Sequence, residues 1–294
     1  MNNDMVSIVV LNYNDYRETV AYVNAIQDYT VFDEIIVVDN CSTDDSYDHL
    51  LSLEGGKVHV YKTEKNGGYG YGNNFGISIS RERFGCKYTF VSNPDVAYSE
   101  ETATNMVNYL QNHDNCALVS CLQYNGYTKS LINDYAWRLP SYRTYVFGAL
   151  ALMKCIVKKG RYDINQSEVI VDCVPGAFLA VDTEKFSSIG GYDQRVFLFC
   201  EESMLAHRII ANQYYSCLLT NDTYYHNEST SISKSIPGIA NKYRLIFSSR
   251  EFYLKNYLNC GKFRMGVARA CYRIAILEVR IKSWIKKKTQ KRRE

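Results

Sequence analysis

A few acidic side chains and one histidine stand where the chain passes from apolar to polar, and their types suit chemistry. Asp95 closes the segment Tyr88 to Val96, YTFVSNPDV. Its β-branched and aromatic residues read as a strand that Pro94 ends. In an open α/β sheet, ligands bind past the carboxyl ends of the strands, so a carboxylate there is a candidate metal or substrate ligand. Asn-Pro-Asp equally favours a plain turn. Glu201 and Glu202 follow the apolar run Phe197-Leu198-Phe199-Cys200 at a helix start. They are either a general base whose pKa burial would raise, or a pair that complements the helix dipole. His226, between Tyr225 and Asn227, is either a partly buried structural histidine or a second protein ligand near Asp95, with diphosphate oxygens completing a divalent site.

The elements that must position these groups alternate along the chain. Ser7 to Leu11 is a continuous apolar run, as a strand covered on both faces requires; it ends in Asn12-Tyr13-Asn14, and a helical pattern follows from Asp15 to about Gln27. Glu34 to Val38 is a second strand ending in Asp39-Asn40. Ser42-Thr43-Asp44-Asp45 then reads as a helix start, a hydroxyl cap with acids in the first turn. Val58 to Tyr61 is a third strand. It runs into the glycine-rich stretch Asn66 to Asn74, which includes Gly67, Gly68, Asn73 and Asn74, and then into a helix. YTFVSNPDV is the fourth strand, Ser99-Glu100-Glu101 caps the next helix, and Ala117 to Cys121 is the fifth strand. This alternation predicts βαβ units and a mainly parallel sheet flanked by helices. Polar or glycine residues recur at four strand ends on the same edge, which turn formation alone does not require.

Residues 123–168 lack periodicity and read as a variable excursion, a lid or acceptor-side segment. Val169 to Val181 is extended and interrupted by Gly176, Gly190-Gly191-Tyr192-Asp193 is a turn, and a helix runs from Glu201 to about Ala211. Tyr214 to Leu218 is strand-like, and basic amphipathic helices begin near Ala240. The expected organisation is a body over 1–239, with a binding half at 1–121 and a catalytic half at 169–239, followed by a helical tail at 240–294.

Composition narrows the classes. The glycine stretch fails the GxGxxG spacing of dinucleotide folds, and no GK[ST] P-loop is present; the glycines either allow a tight turn or let backbone approach a ligand. Ten cysteines form no CxxC pair, and Met1-Asn2-Asn3-Asp4 leads straight into a strand, so reduced thiols in a cytoplasmic protein are expected. No run of eighteen apolar residues exists. The 26 tyrosines suit carbohydrate faces as well as interiors. Residues 240–294 carry 16 Lys/Arg against 3 Asp/Glu, a balance of +13, which leaves −10 for residues 1–239 of the net +3. An acidic body with a basic tail is a statement about partners. Phe252, Tyr253, Tyr257, Ile274, Ile276, Leu277, Ile281, Trp284 and Ile285 interleave with Lys and Arg there. That pattern fits ordinary helix packing or contact with an anionic membrane surface. Nucleic acid is the weakest partner class, given the acidic body and the lack of a reader fold.

The ordered set VVLNYN, VVDNCSTDDS, NGGYGYGNNFG, SNPDV, PGAFLAV, GGYDQRVFLFCEES and YYHNESTS resembles the inverting family-two glycosyltransferases with a GT-A fold, most of all their bacterial rhamnosyltransferase-like branch. The resemblance spans roughly residues 6–260. It implies that Asn12, Asn14, Asp39 and Asn40 hold the base and ribose of a nucleotide-sugar, and that the stretch from Asn66 to Asn74 packs beside it. It places Asn93 and Asp95 at the DxD position, with Asp95 and His226 as ligands of Mg²⁺ or Mn²⁺. Glu202 falls at the general-base position, with Glu201 as competitor. Two positions depart from the family pattern: Asn93 replaces the first acid of DxD, and Glu202 is one methylene longer than the usual aspartate, with Met204 in place of a further acid. The implied activity is transfer from dTDP-rhamnose or a UDP-sugar to a glycan or lipid-linked acceptor in bacterial surface polysaccharide synthesis, at the cytoplasmic face of a membrane. A catalytically weak nucleotide- or glycan-binding protein on the same fold is the alternative. A nucleotidyltransferase would want a basic phosphate-binding loop near the first strand, and Asn12-Tyr13-Asn14 offers none.

Overall fold

Val6–Asn12 (β1) runs through the interior of a nine-stranded sheet and explains its own composition. Ile8 and Val10 enter one core with Tyr22, Val23 and Met106, while Val9 enters the opposite core with Ile77 and Leu205. A strand covered on both faces leaves no position for a polar alternation. The computed structural model describes residues 4–153, 156–157, 162–227 and 238–290.

The remaining strands are β2 (Glu34–Asp39), β3 (Val58–Lys62), β4 (Tyr88–Ser92), β5 (Val96–Tyr98), β6 (Cys116–Asn125), β7 (Glu168–Val171), β8 (Phe178–Asp182) and β9 (Tyr215–His226). Their order is β3-β2-β1-β4-β8-β6-β9-β5, with β7 also on β9. β3, β2, β1 and β4 are mutually parallel, β8 enters antiparallel between β4 and β6, and β6 and β9 are again parallel. The helices are α1 (Tyr16–Ile26), α2 (Ser46–Leu50), α3 (Tyr69–Ile79), α4 (Glu100–Asn112), α5 (Tyr142–Val146), α6 (Thr183–Ser188), α7 (Glu201–Ala211), α8 (Ile239–Asn256) and α9 (Lys262–Gln290). The α/β architecture with a mostly parallel sheet is the one expected.

The chain divides into two compact units. One comprises residues 1–138, 161–197 and 201–231 and holds the sheet. The other comprises 139–160, 198–200 and 232–294. In the second unit, Phe247 of α8 stacks on Tyr272 of α9 at 4.4 Å, and Tyr145 of α5 meets the Tyr253 ring edge-on at 5.3 Å. Met265, Ala268, Tyr272 and Ala275 form the buried side of α9, whereas Ile274, Leu277, Ile281 and Trp284 are at least half exposed. No helix among the described residues is long and apolar enough to cross a membrane. No disulfide joins the nine cysteines among the described residues.

Three local expectations change. The helix after β2 starts at Ser46, and it is the Asp44 carboxylate that accepts from the Ser46 amide at 3.1 Å; the Ser42 hydroxyl is engaged elsewhere. The glycine-rich stretch is mostly helix, because α3 begins at Tyr69 and carries Asn73 and Asn74 within it. The fifth strand continues to Asn125, so the irregular excursion begins later than position 123. At the end of that strand the pairing with β9 jumps from Cys121↔Leu219 to Leu122↔Thr223. The three residues of β9 passed over by this jump let Tyr224 pair with Gln123 and His226 with Asn125.

Candidate active site

The strand register assembles the first part of the site. Asn12 pairs with Asp39 across β1 and β2, and Val10 with Ser92 across β1 and β4, so these strand ends share one edge. Asp39 is fully buried, and a buried carboxylate has to be satisfied by hydrogen bonds. It accepts from the Asn12 amide at 2.9 Å, from the Ser42 backbone N–H at 3.0 Å and from the Ser42 hydroxyl. Thr19 fixes the other end of the Asn12 amide, donating to its Oδ1 at 2.9 Å. Asn14 has a left-handed backbone (φ 52°), which asparagine tolerates. Its N–H donates to the Ser42 hydroxyl, and its side chain exchanges hydrogen bonds with Thr43. Asn40 donates to Asn66 Oδ1 and to the Gly68 carbonyl, both at 3.1 Å, and accepts from Thr63 at 3.2 Å.

Gly68 joins this edge to the second part. Its φ of +91° and the carbonyl of Phe197, which a Cβ would overlap, leave room only for glycine. Tyr69 N–H donates to that same carbonyl at 3.1 Å. The Tyr69 hydroxyl then reaches Gly176 just before β8, donating to its carbonyl at 2.6 Å. Next along, the Ala177 carbonyl accepts from the Asn93 amide at 2.8 Å. Asn40, Gly68, Tyr69, Gly176, Ala177, Asn93 and Asp95 thus form one continuous path.

Asn73 and Asn74 have structural partners. Asn73 is buried and donates back to the Tyr69 carbonyl at 3.0 Å. Asn74 clasps Tyr192, donating to its carbonyl at 2.9 Å and accepting from its N–H at 3.0 Å. Gly67 packs against the Tyr71 ring where a Cβ would stand.

Asp95 and His226 meet. β5 follows Asp95 at once and pairs antiparallel with β9, setting Val96 opposite His226. His226 Nε2 lies 3.1 Å from Asp95 Oδ1, and the side chains are 14% and 5% exposed. Behind the imidazole, Gln123 Nε2 lies 3.0 Å from Nδ1, and Gln123 Oε1 accepts from the Tyr224 hydroxyl at 3.0 Å. Carboxylate oxygen and imidazole nitrogen side by side in a shielded place fit a divalent cation. Among the described residues no cluster of three or more His, Cys, Asp or Glu side chains converges, so such an ion would draw its other ligands from a substrate or water.

Glu202 stands at the start of α7, entered through Phe199 and Cys200, two consecutive residues with positive φ (74° and 69°). Such conformations cost about 1 kcal/mol or more each and collect at functional sites. Burial raises the Glu202 pKa above the ordinary glutamate value of 4.5, against the backbone N–H groups of Glu202 and Gly176, which favour its charge. Glu202 in turn helps raise the tyrosine pKa values at Tyr69, Tyr192 and Tyr224, each pushed up first by burial. Tyr224 feels Asp95 as well, which places that phenol within the fields of both carboxylates. Glu201 is buried, 3% exposed.

The sequence assigns no site role to Tyr69, Gln123, Tyr192 or Tyr224, and it reads Ser42 as a helix cap. One signal for Tyr224 was available: side chains two apart on a strand share a face, so Tyr224 accompanies His226.

The sequence matches the family Glycosyl transferase family 2 over residues 7–175. It is 25% identical over 147 residues to the rhamnosyltransferase WbbL of Escherichia coli K12, covering 48% of this chain and 54% of that protein. The chain therefore spans about half the length of this curated relative. The fold is similar to the mannosyltransferase PcManGT of Pyrobaculum calidifontis in complex with GDP-Man and Mn²⁺ (TM-score 0.58, 14% identity, 90% of this chain and 73% of that one). It is also similar to GalNAc-T7 with UDP, GalNAc and Mn²⁺ (TM-score 0.58, 15% identity, 86% and 50%) and to S. aureus TarS (TM-score 0.54, 13% identity, 86% and 40%). With more than half of its length matched, the chain belongs to glycosyl transferase family 2.

Proposed function

We propose that the protein transfers a sugar from a nucleoside diphosphate donor to an acceptor hydroxyl with inversion. The juxtaposition of Asp95 and His226 at 3.1 Å carries this reading, at the edge that also holds the Asn12–Asp39 network and Glu202. In a single in-line displacement, the acceptor oxygen bonds to the anomeric carbon as the diphosphate leaves, and the acceptor proton passes to Glu202. Asp95 and His226 are the residues to hold Mg²⁺ or Mn²⁺, which when bound offsets the charge of the leaving diphosphate. The Asn12–Asp39 and Asn40 networks hold the strand ends rigid, so that the base and ribose meet a preformed surface. Glu201, buried beside Glu202, is the competitor for the base.

Similarity to the rhamnosyltransferase WbbL supports a rhamnose donor, and dTDP-rhamnose or a UDP-sugar is the donor class of this reading. A glycan or lipid-linked acceptor of bacterial surface polysaccharide synthesis goes with that donor class. The exposed Ile274, Leu277, Ile281 and Trp284, with exposed Arg273, Arg280 and Lys282, support seating on an anionic membrane at its cytoplasmic face. A body over 1–239 that does the chemistry and a tail over 240–294 that docks is the corresponding division of labour.

A thermal-shift screen of dTDP-, UDP- and GDP-sugars with and without Mn²⁺ tests the reading. A ligand at 100 times its Kd adds about 2.7 kcal/mol of stability. In Asp95→Asn, Mn²⁺ is expected no longer to strengthen donor binding, and an unchanged Mn²⁺ response would count against the site. Asn93 in place of an acid favours one second reading, a binding protein that retains the fold without turnover. Transfer or donor hydrolysis with Mn²⁺ decides between the two.

A further inference from the structure

The side-chain amides of the site fall into two kinds. Asn12 donates to the Asp39 carboxylate, which can only accept. Asn40 donates to the Gly68 carbonyl, and Asn74 is held between the N–H and C=O of Tyr192. Partners of fixed polarity lock each of these amides in one orientation. Gln123, 5% exposed, faces two groups of reversible polarity: an imidazole nitrogen of His226 and the hydroxyl of Tyr224. Either group donates or accepts, so the amide is satisfied in both of its orientations.

The orientation present selects a tautomer. Gln123 Nε2 can only donate, so Nδ1 of His226 accepts and the imidazole proton sits on Nε2, aimed at Asp95 Oδ1. A cation shared by Asp95 and His226 needs the Nε2 lone pair, which requires the proton on Nδ1 and an acceptor facing it.

We propose that Gln123 is a positioning residue that turns its amide by half a rotation when the cation binds. Its Oε1 then accepts from His226 Nδ1–H, and its Nε2 donates to the Tyr224 oxygen. The imidazole gives up its Nε2 proton to solvent as the cation takes that lone pair and takes one up at Nδ1, so its net protonation is unchanged, and both ends of the Gln123 amide keep a partner in either state. Tyr224 is the pivot that makes the two states comparable, because a phenylalanine there would satisfy neither orientation. This inference rests on the proposed cation site.

The test uses the full chain. Histidine side-chain ¹H–¹⁵N spectra, with the His226 signals identified by their loss in His226→Asn, report the tautomer; Mn²⁺ titration in the presence of UDP, followed by the EPR signal of free Mn²⁺, reports affinity. Metal-free wild type is expected as the Nε2–H tautomer. Gln123→Glu, which can only accept from Nδ1–H, is expected to bind Mn²⁺ more tightly than wild type. Gln123→Met, of similar volume but without donor or acceptor, is expected to bind about 10-fold or more weakly, the usual scale for loss of a group supporting a metal ligand. Equal Mn²⁺ affinity in all three overturns the switch and leaves the cation site standing. An Nδ1–H tautomer in metal-free wild type also overturns the switch. No Mn²⁺ binding by wild type, with the Nε2–H tautomer in place, overturns the cation site and the switch with it.

Discussion

The Tyr69 hydroxyl donates to the carbonyl of Gly176 at 2.6 Å, although the two residues lie 107 positions apart. That bond ties the start of α3, where Asn40 is also anchored, to the turn that precedes β8 and faces Glu202. A Cβ on Gly176 would stand 3.2 Å from the Tyr69 hydroxyl and 3.5 Å from Glu202 Oε1, so phenol, turn and carboxylate pack as one group.

Tyr69→Phe isolates this bond. It leaves the ring, with its edge-on contact to Tyr192 at 5.6 Å, but leaves a shielded carbonyl without that donor. A loss of roughly 1–3 kcal/mol in urea unfolding is expected. Turnover should fall more than donor affinity, because the turn beside Glu202 loosens while the Asn12–Asp39 network is untouched. Equal losses in kcat and in donor Kd would assign Tyr69 to binding instead.

Glu202→Gln separates charge from shape. With its pKa raised by burial, the wild-type carboxyl binds its proton more tightly in the folded than in the unfolded state. Ionisation therefore costs stability as pH rises from the ordinary value of 4.5 through the raised one, and the full cost is present above that window. The Gln variant should match wild type in acid and become the more stable protein towards neutral pH. Its turnover should be low at every pH, while wild-type turnover climbs with pH through the raised value as the base is freed. Urea titrations and rates measured from pH 4 to 8 check both, and a wild-type rate in the variant would move the base to another residue.

What could be read in advance, and what could not, follows from distance along the chain. β1, β2 and β4 were legible because burial on both faces forces runs such as Ile8-Val9-Val10, and their polar ends, Asn12, Asp39 and Asp95, followed. Ser42 was misplaced because a serine three residues past a strand suits a helix cap as well as a carboxylate, and only the burial of Asp39 decides between them. Gln123 and Tyr224 were missed for a different reason. Gln123 meets His226 across 103 positions, and the irregular pairing of β9 that aligns them leaves no mark in hydrophobic periodicity. The strand signal simply faded after Cys121, where the register shifts.

The outer side of α9 gives a prediction that does not involve the site. Ile274, Leu277, Ile281 and Trp284 recur at helical spacing beside exposed Arg273, Arg280 and Lys282. Each basic residue near an anionic bilayer contributes about 1 kcal/mol, so vesicles containing phosphatidylserine should co-sediment the full chain, and neutral vesicles should do so less. Deleting residues 280–294, or the pair Leu277→Glu and Ile281→Glu, should release it. Equal binding to neutral and anionic vesicles would remove the electrostatic part of the reading, and no binding at all would end it.

Gly68→Ala asks whether the glycine stretch is there for conformation or for close approach. A left-handed backbone costs an alanine about 1–2 kcal/mol, which Gly56, with φ +57° and open space around it, measures; Gly68, at φ +91° and ψ −175°, lies in a region confined almost wholly to glycine. At Gly68 the added methyl would also overlap the Phe197 carbonyl, a backbone atom held by the Tyr69 N–H and unable to turn aside as a side-chain tip could. Gly68→Ala should therefore exceed Gly56→Ala by several kcal/mol in urea unfolding, within the range of severe steric lesions. Because Asn40 donates to the Gly68 carbonyl, the same variant should weaken donor binding, whereas Gly56→Ala should leave it unchanged. If the two substitutions cost the same, backbone conformation alone explains the glycine, and the contact between this segment and Phe197 does not set the geometry of the edge.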